Sequence, residues 1–503
     1  MDCKVKFVPS NIEISVPDTY KIMDAERAAG LGMEYPCGGN SKCGKCFVDI
    51  ELCGDKAHVK ACDEFVKDGM IITIPNIDKE KTNVLTSSCI ASVCKFDPLC
   101  KDGYGVAFDI GTTTIAAYLI DLKTGGVINQ IGELNEQVRF GGDVVSRCIY
   151  AKENGVDDIA DVVNKQADKI IGQFGVDACE IKAITIVGNT AMQHIFARIS
   201  PTSLVEIPYM PAKYGCFKMP AKEFFSNVNP SADVYFIPVI AGYVGADTVG
   251  AMLATRFNEK ENITLLLDIG TNGEIVLGNK DKYFVCSTAS GPAFEGAKIV
   301  KGMRGAPGAI DHVWLDDGDL AFSTIGDIDA IGICGSGLID FCARLLDAGV
   351  LMKSGRFDKK YDGPIKNRFI EIDGTRAISL SENVYVTQKD IREVQLAKGA
   401  ISAGIKILMD KRGASFEDVT EVLIAGAFGN YMDPLNACKI GLIPIEFKDK
   451  ITPVGNAAGE GAKMCLISCD EYKLCDEIAS KAKFLELASV EDFQDRFIKE
   501  LDF

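Results

Sequence analysis

A chain of 503 residues that is 47% hydrophobic and 25% charged has room for several domains, each with its own core. Its formal net charge of −17, carried without a basic stripe, argues against a nucleic-acid partner. The N-terminal run alternates rather than showing an export signal, and the longest apolar stretch, 234–254, is broken by Asp247 and glycines; no membrane association is expected and a cytoplasmic location is.

Residues 1–80 form the first expected unit. Two alternating runs, 4–8 and 12–16, flank Pro9-Ser10-Asn11 and predict a hairpin. A short helix is expected over 22–30, and strands over 46–52 and 70–75. Nineteen cysteines in a reducing compartment are poor candidates for disulfides, and eight of them precede residue 100, which points to metal. Cys37, Cys43 and Cys46 are spaced C-x5-C-x2-C in a stretch containing Gly38, Gly39 and Gly44, so the backbone can wrap closely and aim N–H groups at sulfur. A two-iron cluster needs a fourth thiolate. Cys62 is preferred because the strand that follows returns it to the loop; Cys53 and Cys89 are the alternatives. Zinc fits less well, since its sites usually present two short cysteine pairs. The stretch resembles the β-grasp [2Fe–2S] ferredoxin domains, both in this loop and in Ala61-Cys62 before a last strand.

Residues 81–102 are polar and punctuated and are expected to be a linker. Its Cys89, Cys94 and Cys100 are read as free thiols, with a second cluster as the alternative.

From residue 103 onward apolar strands alternate with helices. The segment 105–113 recurs at 264–272: an apolar strand, an aspartate (Asp109, Asp268), a glycine turn (Gly111, Gly270) and hydroxyl or amide residues (Thr112 and Thr113; Thr271 and Asn272, followed by Gly273). Such turns let backbone N–H groups reach phosphate oxygens, and the aspartates can hold Mg²⁺. Two copies imply two related lobes with a cleft between them. The strand running into Gly426 and Gly429 ends in small residues that let an adenosine lie against the backbone. Gly335 and Gly337 open a helix whose N–H groups can take a phosphate or ribose. A long helix is expected from Thr387 to Arg412, capped by Thr387 and closed by Gly413.

These motifs resemble the actin, sugar kinase and Hsp70 ATPase superfamily. The resemblance implies a two-lobed α/β fold with ribonuclease-H-like lobes at 103–265 and 266–503, C-terminal helices returning to the first lobe, Mg-ATP as the nucleotide, and Asp247 as an acid placing water or metal. The order ferredoxin, linker, ATPase resembles the reductive activators of corrinoid-dependent methyltransferases. That resemblance implies an ATP-hydrolysing electron-transfer activator, which passes one electron from a [2Fe–2S] cluster to a Co(II) corrinoid protein and restores Co(I). It also implies an external low-potential electron donor and a homodimer. The alternative is a small-molecule kinase with a redox-sensing ferredoxin domain.

Overall fold

The computed structural model describes residues 2–29, 31, 39, 41, 46–74, 86–88 and 94–503. In the N-terminal unit, β1 (Asp2–Val8) and β2 (Ile12–Pro17) form the expected hairpin. They are followed by α1 (Ile22–Ala28), β3 (Phe47–Leu52), β4 (Asp55–Lys60) and β5 (Met70–Thr73). The sheet order is β2-β1-β5-β3-β4, with β5 parallel to β1 and antiparallel to β3. This is a β-grasp sheet. Period-2 alternation buries Cys3, Val5 and Phe7 and leaves Lys4 and Lys6 outside. Val48, Met70, Ile72, Ile22 and Ala25 complete the core, which also holds Cys46 and Cys62. The sequence reading contains no β4. That strand lies at the sheet edge and its first four residues are exposed, so it carries no apolar pattern.

The next sheet is built from β6 (Tyr104–Ile110), β7 (Thr114–Asp121), β8 (Val127–Leu134), β9 (Ile181–Gly188), β10 (Phe217–Pro220) and β11 (Asp233–Phe236), ordered β10-β11-β9-β6-β7-β8. Helices α2 (Val144–Asn154), α3 (Asp157–Gln173) and α4 (Thr190–Phe196) cover one face. After α5 (Ala246–Ala254) a second six-stranded sheet follows. Its strands begin with β12 (Ile263–Ile269), β13 (Gly273–Asn279) and β14 (Lys282–Thr288). Strand β12 straddles the boundary expected at 265/266. Two small sheets come next: β15 (Ala309–Asp316), β16 (Asp319–Thr324) and β17 (Gly332–Ile333), then, beyond α6 (Gly335–Asp347), β18 (Phe369–Ile372), β19 (Thr375–Ser379) and β20 (Tyr385–Thr387). Helix α7 (Gln388–Arg412) leads to β21 (Val419–Ala425), α8 (Gly426–Tyr431), α9 (Pro434–Lys439) and β22 (Ile451–Gly455). The chain continues with α10 (Ala457–Ile467), α11 (Cys469–Lys481), β23 (Lys483–Phe484) and α12 (Phe493–Lys499). The second sheet runs β22-β21-β12-β13-β14-β23.

The sequence repeat is therefore a repeat of topology. In each sheet an antiparallel hairpin (β6–β7, β12–β13) has a parallel neighbour on its other side (β9, β21), which has a further parallel neighbour (β11, β22). Helix α7 forms as expected: Thr387 Oγ1 accepts from Asp390 N–H at 3.1 Å, Asp390 accepts in return from Thr387 N–H at 2.8 Å, and Gly413 closes the helix with φ 69.

Alternation along the hairpin strands decides where the aspartates go. Val106, Phe108 and Ile110 point into the core under α2–α4, while Ala107 joins the core around α5 and α10. In the second sheet Leu265, Leu267 and Ile269 face away, while Leu266 joins that same central core. Asp109 and Asp268, two residues beyond Ala107 and Leu266, thus lie on the faces that the two sheets turn toward each other. Helices α5 and α10 form the shared centre and pack backbone to backbone: a Cβ on Gly461 would stand 2.2 Å from the Gly250 carbonyl oxygen. Helix α10 packs on β6 and β9.

The described linker residues lie along α10. Asn456 N–H donates to the Ser87 carbonyl at 3.0 Å and Ser88 Oγ to Glu460 Oε2 at 2.7 Å. At the other end Asp97 N–H donates to the Ile467 carbonyl at 3.0 Å and Leu99 N–H to that of Leu466 at 3.1 Å. Among the described residues no helix is long and apolar enough to cross a membrane.

Candidate redox and nucleotide sites

In the β-grasp unit, Cys46 precedes β3 and Cys62 follows β4, and the pairing of these two strands brings their ends together. The two sulfurs are 3.2 Å apart and both residues are buried. A tetrahedral metal with metal–sulfur bonds of about 2.3 Å holds two thiolates about 3.8 Å apart, so this pair fits one iron after a small adjustment. Gly39, at φ +85, lies over Cys62: a Cβ there would be 3.9 Å from that of Cys62 and 2.7 Å from Met23 Sδ. Cys53 sits elsewhere, in the exposed two-residue turn between β3 and β4, with φ 52 beside Gly54 at φ 92. Cys37, Cys43 and Cys89 lie outside the described residues. Cys94 and Cys100 pack against the core around α10.

In the second constellation, both hairpin turns leave donors free. Gly111 N–H closes on the Thr114 carbonyl at 2.9 Å and Gly270 N–H on that of Asn272 at 2.8 Å. Among the described residues, the N–H groups of Thr112, Thr113, Thr271 and Asn272 donate to no protein acceptor. Unpaired amides in consecutive turn positions form an anion-binding concavity. The first turn is braced from behind. Asn135 Nδ2 donates to the Gly111 carbonyl at 2.8 Å, Asn189 Nδ2 to Thr112 Oγ1 at 2.8 Å, and Arg147 Nη2 to the Thr112 carbonyl at 2.6 Å. Arg147 is fully buried on α2, and burial lowers its pKa to about 9.

Four carboxylates sense one another here. Burial raises Asp109 to about 7, opposed by the Asn456 Nδ2 bond to its Oδ2 at 2.9 Å and reinforced by Asp247. Burial also raises Asp268 to about 7, with Asp247 and Asp109 adding to it. Asp247, at the start of α5, is raised by burial to about 6, moderated by the Thr248 N–H bond at 2.7 Å. Glu274 is the direct cross-strand partner of Asp268, and burial followed by the charges of Asp247 and Asp268 drives it well up. Among the described residues no three such side chains are gathered closely enough to ligate an ion directly. Burial is the main cause of the raised values, with repulsion between carboxylates adding to it at Asp109, Asp268 and Glu274, and such a set suits a metal held largely through water.

These shifts have a measurable sign. Unfolded aspartates ionise near 3.9, so between about pH 4 and pH 7 the ligand-free folded protein binds more protons than the unfolded chain, and stability falls as pH rises through that window. Mg²⁺ with nucleotide favours the ionised forms. The melting temperature of ligand-free protein is expected to fall between about pH 4 and pH 7, and the stabilisation by Mg-ATP to grow over the same range. A stabilisation that is independent of pH would refute the coupling.

The other expected glycines divide by their surroundings. Gly426 begins α8 at φ +88, and a Cβ there would be 2.9 Å from Asp268 Oδ1, so it adjoins the carboxylate cluster. Gly273, Gly337 and Gly429 have packing reasons: a Cβ would meet Thr288 Oγ1 at 2.7 Å, the Ile310 carbonyl oxygen at 2.3 Å and Ile424 Cγ2 at 2.2 Å. Gly335 and Gly337 open α6, which packs beside α8. Glu274, Glu295, Asn189, Arg147 and Asn456 are absent from the sequence-based set. Only Glu274 carried a signal, its place across the tight hairpin from Asp268.

Comparison with known proteins covers the whole chain. Residues 5–67 match the family described as "2Fe-2S iron-sulfur cluster binding domain", 104–260 the "RACo middle region" and 262–503 the "C-terminal domain of RACo the ASKHA domain". The "Corrinoid activation enzyme RamQ" of Eubacterium limosum is 32% identical over 97% of this chain and 96% of its own length. The "[Co(II) methylated amine-specific corrinoid protein] reductase" of Methanosarcina barkeri is 28% identical over 80% of this chain and 77% of its own. A solved structure titled "Reductive activator for corrinoid,iron-sulfur protein" superposes with a TM-score of 0.75, at 30% identity, over 100% of this chain and 98% of that one.

Proposed function

We propose, from the premise that this chain belongs to the family of reductive activators of corrinoid proteins, that it uses ATP to return a corrinoid protein from Co(II) to Co(I). The observation that carries this is the likeness to a corrinoid activation enzyme along 97% of the chain, cluster domain and two-lobed ATPase together. The [2Fe–2S] cluster of the N-terminal domain supplies one-electron chemistry. In our reading Cys37, Cys43, Cys46 and Cys62 hold it, and an external low-potential donor reloads it.

The ATPase residues do the positioning. The free N–H groups of Thr112, Thr113, Thr271 and Asn272 take phosphate oxygens from both sides of the cleft. Asp109 and Asp268 hold Mg²⁺ through water, Asp247 orients the attacking water, and the segments at Gly335 and Gly426 receive the nucleoside. ATP hydrolysis of this kind needs no protein nucleophile. One-electron transfer to an acceptor of lower potential is uphill by about 1.4 kcal/mol for each 59 mV. Lobe closure on ATP can offset this only through differential affinity for the partner between open and closed states. Partner and nucleotide therefore change each other's binding by the same factor.

The test is anaerobic and follows cobalt absorbance with a low-potential reductant. Co(I) is expected to accumulate only with ATP, and the Co(II) corrinoid protein to stimulate ATP hydrolysis. Equal Co(I) formation without ATP would sink the proposal, and a phosphorylated small molecule in the mixture would favour a kinase instead.

A further inference from the structure

One carboxylate stands between the two hairpins and has no part in the reading above. Glu295 lies in the turn segment after β14, and its Oε2 accepts from Thr113 Oγ1 at 3.1 Å and from Thr271 Oγ1 at 2.9 Å. One threonine belongs to each hairpin, so a single anionic oxygen ties the two lobes together at the mouth of their turns. Its other oxygen lies beside the second turn: a Cβ on Gly270 would be 3.7 Å from Glu295 Oε1, an ordinary contact. Among the described residues Glu295 forms no ion pair, and the Arg147 guanidinium behind the first turn contributes attraction only through space. An oxyanion held by two hydroxyls beside four free amide donors stands where a phosphoryl oxygen would be received. A terminal phosphate and this carboxylate cannot share the same two hydroxyls, because like charges at hydrogen-bond distance repel strongly in a recessed cleft.

We propose that Glu295 is a positioning residue at the place where the terminal phosphate of ATP is received. Before nucleotide binds, its carboxylate holds Thr113 and Thr271 in place, and the terminal phosphate of ATP, which ADP lacks, displaces it. The inference rests on the reading of the two hairpins as phosphate-binding. It makes Glu295 the group through which the cleft registers the third phosphate, and it makes part of the affinity for ATP the cost of that displacement.

The experiment measures binding of a non-hydrolysable Mg-ATP analogue and of Mg-ADP to the full-length protein by calorimetry. In Glu295→Ala the affinity ratio of analogue to ADP is expected to rise about tenfold. Glu295→Gln keeps an acceptor oxygen and loses the charge, so its ratio should rise by a smaller factor, about threefold. A residue that merely braces the lobes would weaken both nucleotides together. A ratio that is unchanged or lower in both variants overturns the proposal; should the alanine variant fail to fold, Glu295→Gln alone decides. If the unaltered protein binds neither nucleotide, the phosphate reading of the hairpins fails and this inference with it. Normal binding with an unchanged ratio defeats the inference alone.

Discussion

Replacing Asp268 by alanine is expected to slow ATP hydrolysis by about a hundred- to thousand-fold, the scale on which a preorganised charge acts in a recessed site. Asp268 is the penultimate residue of a buried strand, faces the other sheet, and shares the cleft with Asp109, Asp247 and Glu274. Removing one member of a mutually repelling set relieves the others, so folding should not suffer, and ligand-free Asp268→Ala should melt at or above the unaltered protein near neutral pH. The β-grasp core that holds Cys46 and Cys62 is a separate cluster, so the visible absorbance of the iron–sulfur centre should be unchanged. The measurements are steady-state hydrolysis, thermal melting and the absorption spectrum. A rate within threefold of normal would remove Asp268 from the metal and phosphate machinery. Loss of the visible bands would mean that the two sites are not structurally independent.

Substituting Cys62 by serine should remove or strongly alter the cluster, with iron falling from about two per chain. The reason is geometric: Cys62 Sγ lies 3.2 Å from Cys46 Sγ in the same buried core. Cys53→Ser should retain iron, because that residue occupies the exposed turn at the far end of the β3–β4 hairpin. Cys89→Ser should retain it as well. Iron analysis and the visible spectrum decide, and retention in Cys62→Ser with loss in Cys89→Ser would transfer the fourth ligand to the linker. Nucleotide binding should survive in all three variants, since the free donors of the hairpin turns are the N–H groups of residues 112, 113, 271 and 272.

Much of the molecule was legible in residue order because its signals are local. Period-2 alternation marked β1 and β2, the cysteine-rich N-terminal stretch marked the [2Fe–2S] domain, and Thr387 with Asp390 and Gly413 marked both ends of α7. Each hairpin turn leaves its own backbone N–H groups without a protein acceptor, a local property, so its motif survives in the sequence twice, and from two copies a two-lobed cleft follows. The polar edge strand β4 escaped, because pairing with β3 and not burial forms it. The braces and the clasp also escaped. Arg147 reaches Thr112 across 35 positions and Glu295 reaches Thr113 across 182, distances over which no spacing rule operates. Asn456 meets Asp109 across 347 positions because α10 returns to the first lobe, and the described linker residues lie on α10 because backbone groups at both ends of that helix have partners there. Hydrogen-bond donors and acceptors of this kind are interchangeable in a sequence, and only the tertiary fold determines which of them meet.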